Sequence, residues 1–185
     1  MSGERTCSVI NFYPLEKIVL DRVHLRMIED KDAGGILAIR SNLDMIRYTG
    51  IPQMQNMDQA KDFVTSRLDG MKDNKWIYLV IAHKETDELM GTACIFNFND
   101  LKTSADVGYE LLPAYQGNGY VHEALMGLMA FAYEHLKLTH LTADIHEENL
   151  PSINVVKRAG FEFTKELDGG YKLFSASSAS GLLST

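Results

Sequence analysis

Val107-Gly-Tyr-Glu-Leu-Leu-Pro-Ala-Tyr-Gln-Gly-Asn-Gly-Tyr-Val121 reads as a strand that stops and hands over to a helix through a glycine-rich loop. Val107 to Leu112 is rich in strand formers, and Pro113 cannot extend a ladder. Apolar residues then recur at Val121, Ala124, Leu125, Leu128, Met129, Ala132 and Leu136, the spacing of one helical face. The loop therefore lies at a helix N-terminus. Gly117 and Gly119 take away the Cβ atoms that would hold a ligand off the main chain, leaving amide N–H groups and the positive end of the helix dipole for a phosphate group.

Several kinds of phosphate loop share this outline, and the residues separate them. A mononucleotide loop needs Lys-Ser or Lys-Thr after its last glycine, whereas Tyr120-Val121 follows Gly119 here. A dinucleotide fingerprint needs a third small residue where this chain has His122, and it belongs beside the first strand of its fold. An ordinary strand-to-helix connection with two turn glycines is the reading without a ligand. Gln116-x-x-Gly119-x-Val121 resembles the pyrophosphate loop of the GCN5-related N-acetyltransferase (GNAT) superfamily, in which Arg or Gln opens the motif and Gly or Ala usually closes it. Val121 departs from that closing position.

A second stretch carries the same resemblance. Leu138 to His146 alternates like a half-buried strand, and Asn149-Leu-Pro-Ser-Ile-Asn-Val-Val-Lys-Arg-Ala-Gly-Phe161 then starts and stops a helix. Asn149 is a good N-cap, Pro151 is tolerated in the first turn, and Lys157 and Arg158 suit the negative end of the dipole. Gly160 supplies a left-handed C-cap before Phe161 resumes a strand. The segment Asn149-x-x-Ser152…Lys157-x-x-Gly160-Phe161 is similar to one in the same acetyltransferases, in the branch of the ribosomal-protein alanine N-acetyltransferases. The resemblance runs from about Val19 to about Phe174.

The rest of the chain follows the same order. Ile18 to Ile28 reads as a first strand, with Asp30 or Asp32 placed to cap the helix Ala33 to Met45. Asn56-Met-Asp opens a second helix through Met71. Trp76 to Ala82 and Leu89 to Phe98 are strands joined at Glu85-Thr-Asp-Glu88, and a turn over Asn97 to Lys102 leads into the strand ending at Leu112. The expectation is one α/β (α+β) domain over residues 1–185, with a core at about 19–174 and a serine-rich tail from Ser175. The resemblance implies the acetyltransferase fold, a mixed and mostly antiparallel central sheet with helices on both faces.

Composition bounds the setting. A chain of 185 residues, 45% hydrophobic and 23% charged, is long enough for one sizeable core. Cys7 and Cys94 are far apart, neither has a partner at metal or redox spacing, and no apolar run approaches a signal peptide or membrane span, so the expected location is the cytoplasm. A net charge of -7 argues against direct nucleic-acid binding and suits a cationic substrate. A homodimer is left open.

The resemblance implies an acetyl-CoA-dependent N-acetyltransferase, an acyltransferase for groups other than aminoacyl groups, with acetyl-CoA as cosubstrate and no metal. It places the pyrophosphate on Gln116, Gly117, Asn118, Gly119, Tyr120 and Val121, with Asn149 also at the cofactor, and the thioester carbonyl near the Leu111 amide. The acceptor would be an amine-bearing small molecule or a protein N-terminus, including that of a ribosomal protein, attacking directly. An alkylamine with a pKa near ~10 must lose a proton first, and Glu110, beside Leu111, is the candidate base. Its other reading is a solvated or substrate-orienting carboxylate. Relatives often protonate the thiolate with a tyrosine on the last helix, where Val156 stands here. Ser152, one turn earlier, is the candidate donor, or else a first-turn serine bonded to its own helix. His122, His146 and Cys94 read as structural residues, Cys94 as a small hydrophobe within an apolar strand. A CoA-binding regulatory or sensor module without turnover is the alternative function.

Overall fold

The computed structural model describes residues 11–178. In chain order it contains β1 (Ile18–Val19), β2 (Val23–Met27), α1 (Ala33–Ser41), α2 (Leu43–Ile46), α3 (Met57–Lys72), β3 (Ile77–His83), β4 (Leu89–Phe96), β5 (Ser104–Leu111), α4 (Tyr120–Glu134), β6 (His140–His146), α5 (Leu150–Arg158), β7 (Glu162–Glu166) and β8 (Tyr171–Ser177). The strands form one sheet in the order β1-β2-β3-β4-β5-β6-β8-β7. Every neighbouring pair is antiparallel except β5 with β6, which α4 connects as a crossover. The expected mixed sheet is present, with α1 and α3 on one face and α4 and α5 on the other.

The caps explain the helix starts. Asn56 accepts from the Gln59 amide at 3.0 Å and Asn149 from the Ser152 amide at 3.3 Å. Gly160 follows α5 with φ +92°, the left-handed conformation that closes a helix. Core side chains such as Ile36, Leu79, Ile95, Leu128 and Leu141 fill both sides of the sheet. No helix among the described residues is long and apolar enough to cross a membrane.

Three expectations are corrected. The first strand divides, because Leu20 to Arg22 turn the chain between β1 and β2. The helix expected from Ala33 to Met45 breaks at Asn42, which is extended at φ -84° and ψ 112° and caps α2 by accepting from Asp44 and Met45. A residue that competes for backbone donors thereby ends one helix and starts another. Asp32 does not cap α1 with its side chain; its carboxylate instead takes both Nη groups of buried Arg26, at 2.8 and 2.9 Å. At the other end, β8 runs through Ser177, so Ser175 to Ser177 belong to the sheet, while residues 179–185 lie outside the described ones.

Candidate active site

The parallel pairing between β5 and β6 stops early. Its register ends at Asp106 opposite Thr142, yet β5 continues to Leu111 and β6 to His146. The Thr142 hydroxyl donates to the Asp106 carboxylate at the point where the strands part. Leu112 N donates to Met90 O at 2.8 Å, so the antiparallel alternation turns the Leu111 N–H and C=O away from β4 and toward the gap. The side-chain Nε2 of Gln116 donates to that Leu111 carbonyl at 2.8 Å. Beyond the end of the parallel ladder, β5 thus offers the gap an edge that no neighbouring strand pairs.

A cleft of about 600 Å³ occupies this end of the sheet. It gathers Glu110, Leu111, Gln116, Gly117, Gly119, Tyr120, Val121, Asn149 and Ser152, residues from three separate segments. Asn118 does not line it; its Nδ2 donates to Gln116 O and its own carbonyl accepts from Arg22. Gly117 and Gly119 both take left-handed φ, +78° and +80°, and no protein atom lies within 4 Å of a Cβ built on Gly117. The loop therefore leaves open space beside Gly117, at the N-terminal end of α4. Glu123, in that first turn, accepts from the backbone and guanidinium of Arg22 at 2.7 and 2.8 Å, tying the loop to the far edge of the sheet. Burial raises the Glu123 pKa, but these donors hold it below the usual carboxylate value.

Consecutive residues of a strand face opposite sides, and β5 uses both. Tyr109 points to α5, where its hydroxyl lies 2.8 Å from Ser152 Oγ and 3.1 Å from Ser152 O. Burial pushes the Tyr109 pKa up to about 12, so the phenol stays protonated. Glu110 points to α1, where Arg40 Nη1 lies 2.9 Å from its carboxylate, and the Thr92 hydroxyl donates at 3.4 Å. Burial raises the Glu110 pKa, and Arg40 and Thr92 hold part of that rise back. Tyr109, Arg40 and Thr92 are absent from the sequence reading. The two-residue strand period places Tyr109 opposite Glu110 and carries that much signal, whereas Arg40 and Thr92 meet Glu110 only through the tertiary fold.

The position assigned to the missing tyrosine is corrected. Val156 is 0% exposed and packs in the core, whereas Val155 lines the cleft beside Ser152. Asn42, Asp44, Met45 and Tyr48 form the opposite wall. His146 stacks on Tyr48 with ring centres 4.7 Å apart, a packing role. The Cys94 thiol is pushed up to about 12 by burial and by the Glu110 charge, which keeps it from acting as a thiolate. No group of three or more His, Cys, Asp or Glu among the described residues is arranged to hold a metal ion.

Comparison with known proteins agrees with this geometry. The family model of the acetyltransferase (GNAT) domain matches residues 22–162. The chain belongs to the GNAT acetyltransferase family. N-acetyltransferase p20 of Bacillus licheniformis is 30% identical over 149 residues, 80% of this chain and 83% of that protein. N-acetyltransferase YoaA of Bacillus subtilis is 28% identical over 142 residues, 77% of this chain and 80% of its own. Among solved structures, Mycobacterium smegmatis RimJ in complex with CoA-disulfide shares the fold at TM-score 0.80 and 19% identity, covering 91% of this chain and 90% of its own. Spermidine N-acetyltransferase from Vibrio cholerae, in complex with CoA and spermine, does so at 0.75 and 17%, covering 87% and 98%. This GNAT chain is an N-acetyltransferase.

Proposed function

We propose that the cleft takes acetyl-CoA as cosubstrate and passes its acetyl group directly to a primary amine, that of a protein N-terminus or of a small molecule. The observation that carries this reading is the parting of β5 and β6 beyond Asp106 and Thr142, with Leu111, Gln116, Gly117, the Gly119–Val121 start of α4 and Ser152 all lining one cleft. The α4 end supplies backbone donors and a helix dipole for the pyrophosphate, as a short anion needs. The free edge of β5 supplies main-chain partners for the amide-bearing arm, and the Leu111 N–H is the donor for the thioester oxygen. A fixed amide of this kind contributes about 3 kcal/mol to acyl transfer.

Glu110 accepts the proton that the amine gives up as its nitrogen bonds to the acetyl carbon and the carbon–sulfur bond breaks. Its raised pKa suits that task better than an ordinary surface carboxylate would. Ser152 donates to the departing sulfur. The Tyr109 proton has two acceptors, Ser152 O at 3.1 Å and Ser152 Oγ at 2.8 Å, and when it turns to Oγ the serine proton is released to point into the cleft.

The deciding experiment measures release of CoA thiol from acetyl-CoA across a panel of amines and N-terminal peptides, with Gly119→Leu as the control for the site. A leucine at φ +80° costs about 1–2 kcal/mol, and its Cβ would lie 3.4 Å from an Nη of Arg22, the residue that holds the Asn118 carbonyl, so the loop must shift. Calorimetric titration should show at least tenfold weaker CoA binding in the folded variant; unchanged affinity would remove the pyrophosphate from this loop.

A further inference from the structure

A second cavity, of about 800 Å³, opens on the Glu110 face of the sheet. Its lining reverses the sign of the whole chain, since Arg40, Arg67, Lys75 and Lys102 face a single carboxylate, Asp100. Lys75 has its own partner in Asp73 at 2.8 Å. Arg67 makes no ion pair among the described residues and leaves its buried Nε without a hydrogen bond. Three rings hold it instead, with Cζ 4.5 Å from the centre of Phe63, 4.7 Å from Trp76 and 5.6 Å from Tyr78. Trp76 is fixed in turn, because its Nε1 donates to Arg67 O at 3.0 Å and its ring fills the space where Gly70 lacks a Cβ.

The buried donors around Arg67 are also not fully spent. Arg40 is 5% exposed, and neither its Nε nor its Nη1 makes a well-directed hydrogen bond, although Nη1 is close to Glu110. Tyr78, likewise 5% exposed, has its hydroxyl near Thr92 without a well-formed bond. Burying donors without well-directed hydrogen bonds is costly, most of all on a charged group. A planar guanidinium held over aromatic rings with its edge free is built to receive a carboxylate fork.

We propose that this cavity binds a carboxylate of the acetyl acceptor, with Arg67 as its anchor and Arg40 and Tyr78 as further donors. The acceptor half of this inference rests on the reading of the cleft given above. The ladder sets the length of such an acceptor. Tyr78 pairs with Cys94, Cys94 with Gly108, and Glu110 lies one two-residue step further along β5. Two strand spacings and that step put the anion and the reacting amine on the order of 10 Å apart. An α-amino acid is too short. A peptide N-terminus with Asp or Glu among its first three residues reaches, as does a long ω-amino acid, and Arg40 bridges the two ends by lining the cavity and pairing with Glu110.

The test begins with binding, independent of turnover. Trp76 is the only tryptophan of the chain and lines the cavity, so its emission reports on it directly. Glutarate should produce a saturable change and its diamide, glutaramide, none. The response to glutarate should weaken at least tenfold in Arg67→Gln while CoA affinity stays unchanged. Equal responses to both probes, no response to either, or an unaltered response in Arg67→Gln overturns the anion site. Should Arg67→Gln not fold, Arg67→Lys replaces it, with several-fold weakening expected and an unaltered response again overturning the site. Turnover then tests the acceptor: peptides and ω-amino acids of matching length should exceed their carboxamide counterparts in kcat/KM at least tenfold, through KM, and the preference should vanish in Arg67→Gln. Equal acetylation of acid and amide overturns the acceptor assignment while the cleft reading stands. Failure to release CoA thiol with any amine defeats the cleft reading instead, and the glutarate titration still decides the anion site.

Discussion

Glu110 meets two opposing demands. Burial favours its neutral form, and the Arg40 guanidinium 2.9 Å away favours the charged one. The balance leaves the pKa raised, so the acid limb of the kcat/KM profile should lie above the ordinary carboxylate range, with activity rising as pH increases through it. Arg40→Met removes the opposing charge and should move that limb further up. Glu110→Gln keeps the shape without the proton acceptor, and kcat should fall by roughly a hundredfold with CoA affinity retained. A Glu110→Gln profile that keeps the parent limb would assign the titration to another group. The same raised pKa has a sign for stability: Glu110 contributes most below its unfolded pKa, and that contribution is lost as pH rises through the folded value.

At the scale of the element, the proposed protonation of the leaving group falls to α5. Its first turn presents Ser152, and the next cleft-facing residue is Val155, because the helix turns Val156 into the core. Ser152→Ala should slow turnover by roughly tenfold, and the ratio of parent to variant rates should shrink toward one with acetyl donors whose thiols have lower pKa. A ratio constant across donors would make Ser152 a structural residue. Tyrosine introduced at Val155, which lines the cleft, rather than at the buried Val156, is the substitution expected to restore turnover in Ser152→Ala. The caps at Asn56 and Asn149 and the glycines at 117, 119 and 160 were legible in the sequence because each acts on backbone within a few residues of itself. The break at Asn42 was not, since the apolar spacing continues across it. Nor was the choice between Val155 and Val156, which depends on the face of α5 that the sheet covers. The partners of Glu110 lie 18 and 70 positions away, at Thr92 and Arg40, and no local pattern carries that information.

Across the whole molecule, ionic ties hold the edge strands, one at the rim of the cleft and one at the β3–β4 turn. Arg22 joins the β1–β2 turn to the start of α4, and Asp87, in the β3–β4 turn, receives Lys31 at 2.6 Å, Arg26 at 3.0 Å and His24. Burial raises the Asp87 pKa, but Lys31, His24 and Arg26 outweigh it and hold the carboxyl well below its usual range. A lowered folded pKa means that the stabilisation is present above the unfolded value and is lost as pH falls through the folded one. Asp87 is about one-third exposed, which discounts the tie, and Asp32 continues to pair with Arg26 when Asp87 is removed. Asp87→Asn should therefore cost about 1–2 kcal/mol at neutral pH, or roughly 3–6 °C in Tm for a chain of this size. The difference between parent and variant should narrow on acidification, starting at the ordinary carboxylate pKa and continuing below it. Thermal unfolding followed at a series of pH values measures this directly, and a gap that stays constant into strong acid would show that Asp87 acts through turn geometry, at φ +59°, rather than through its charge.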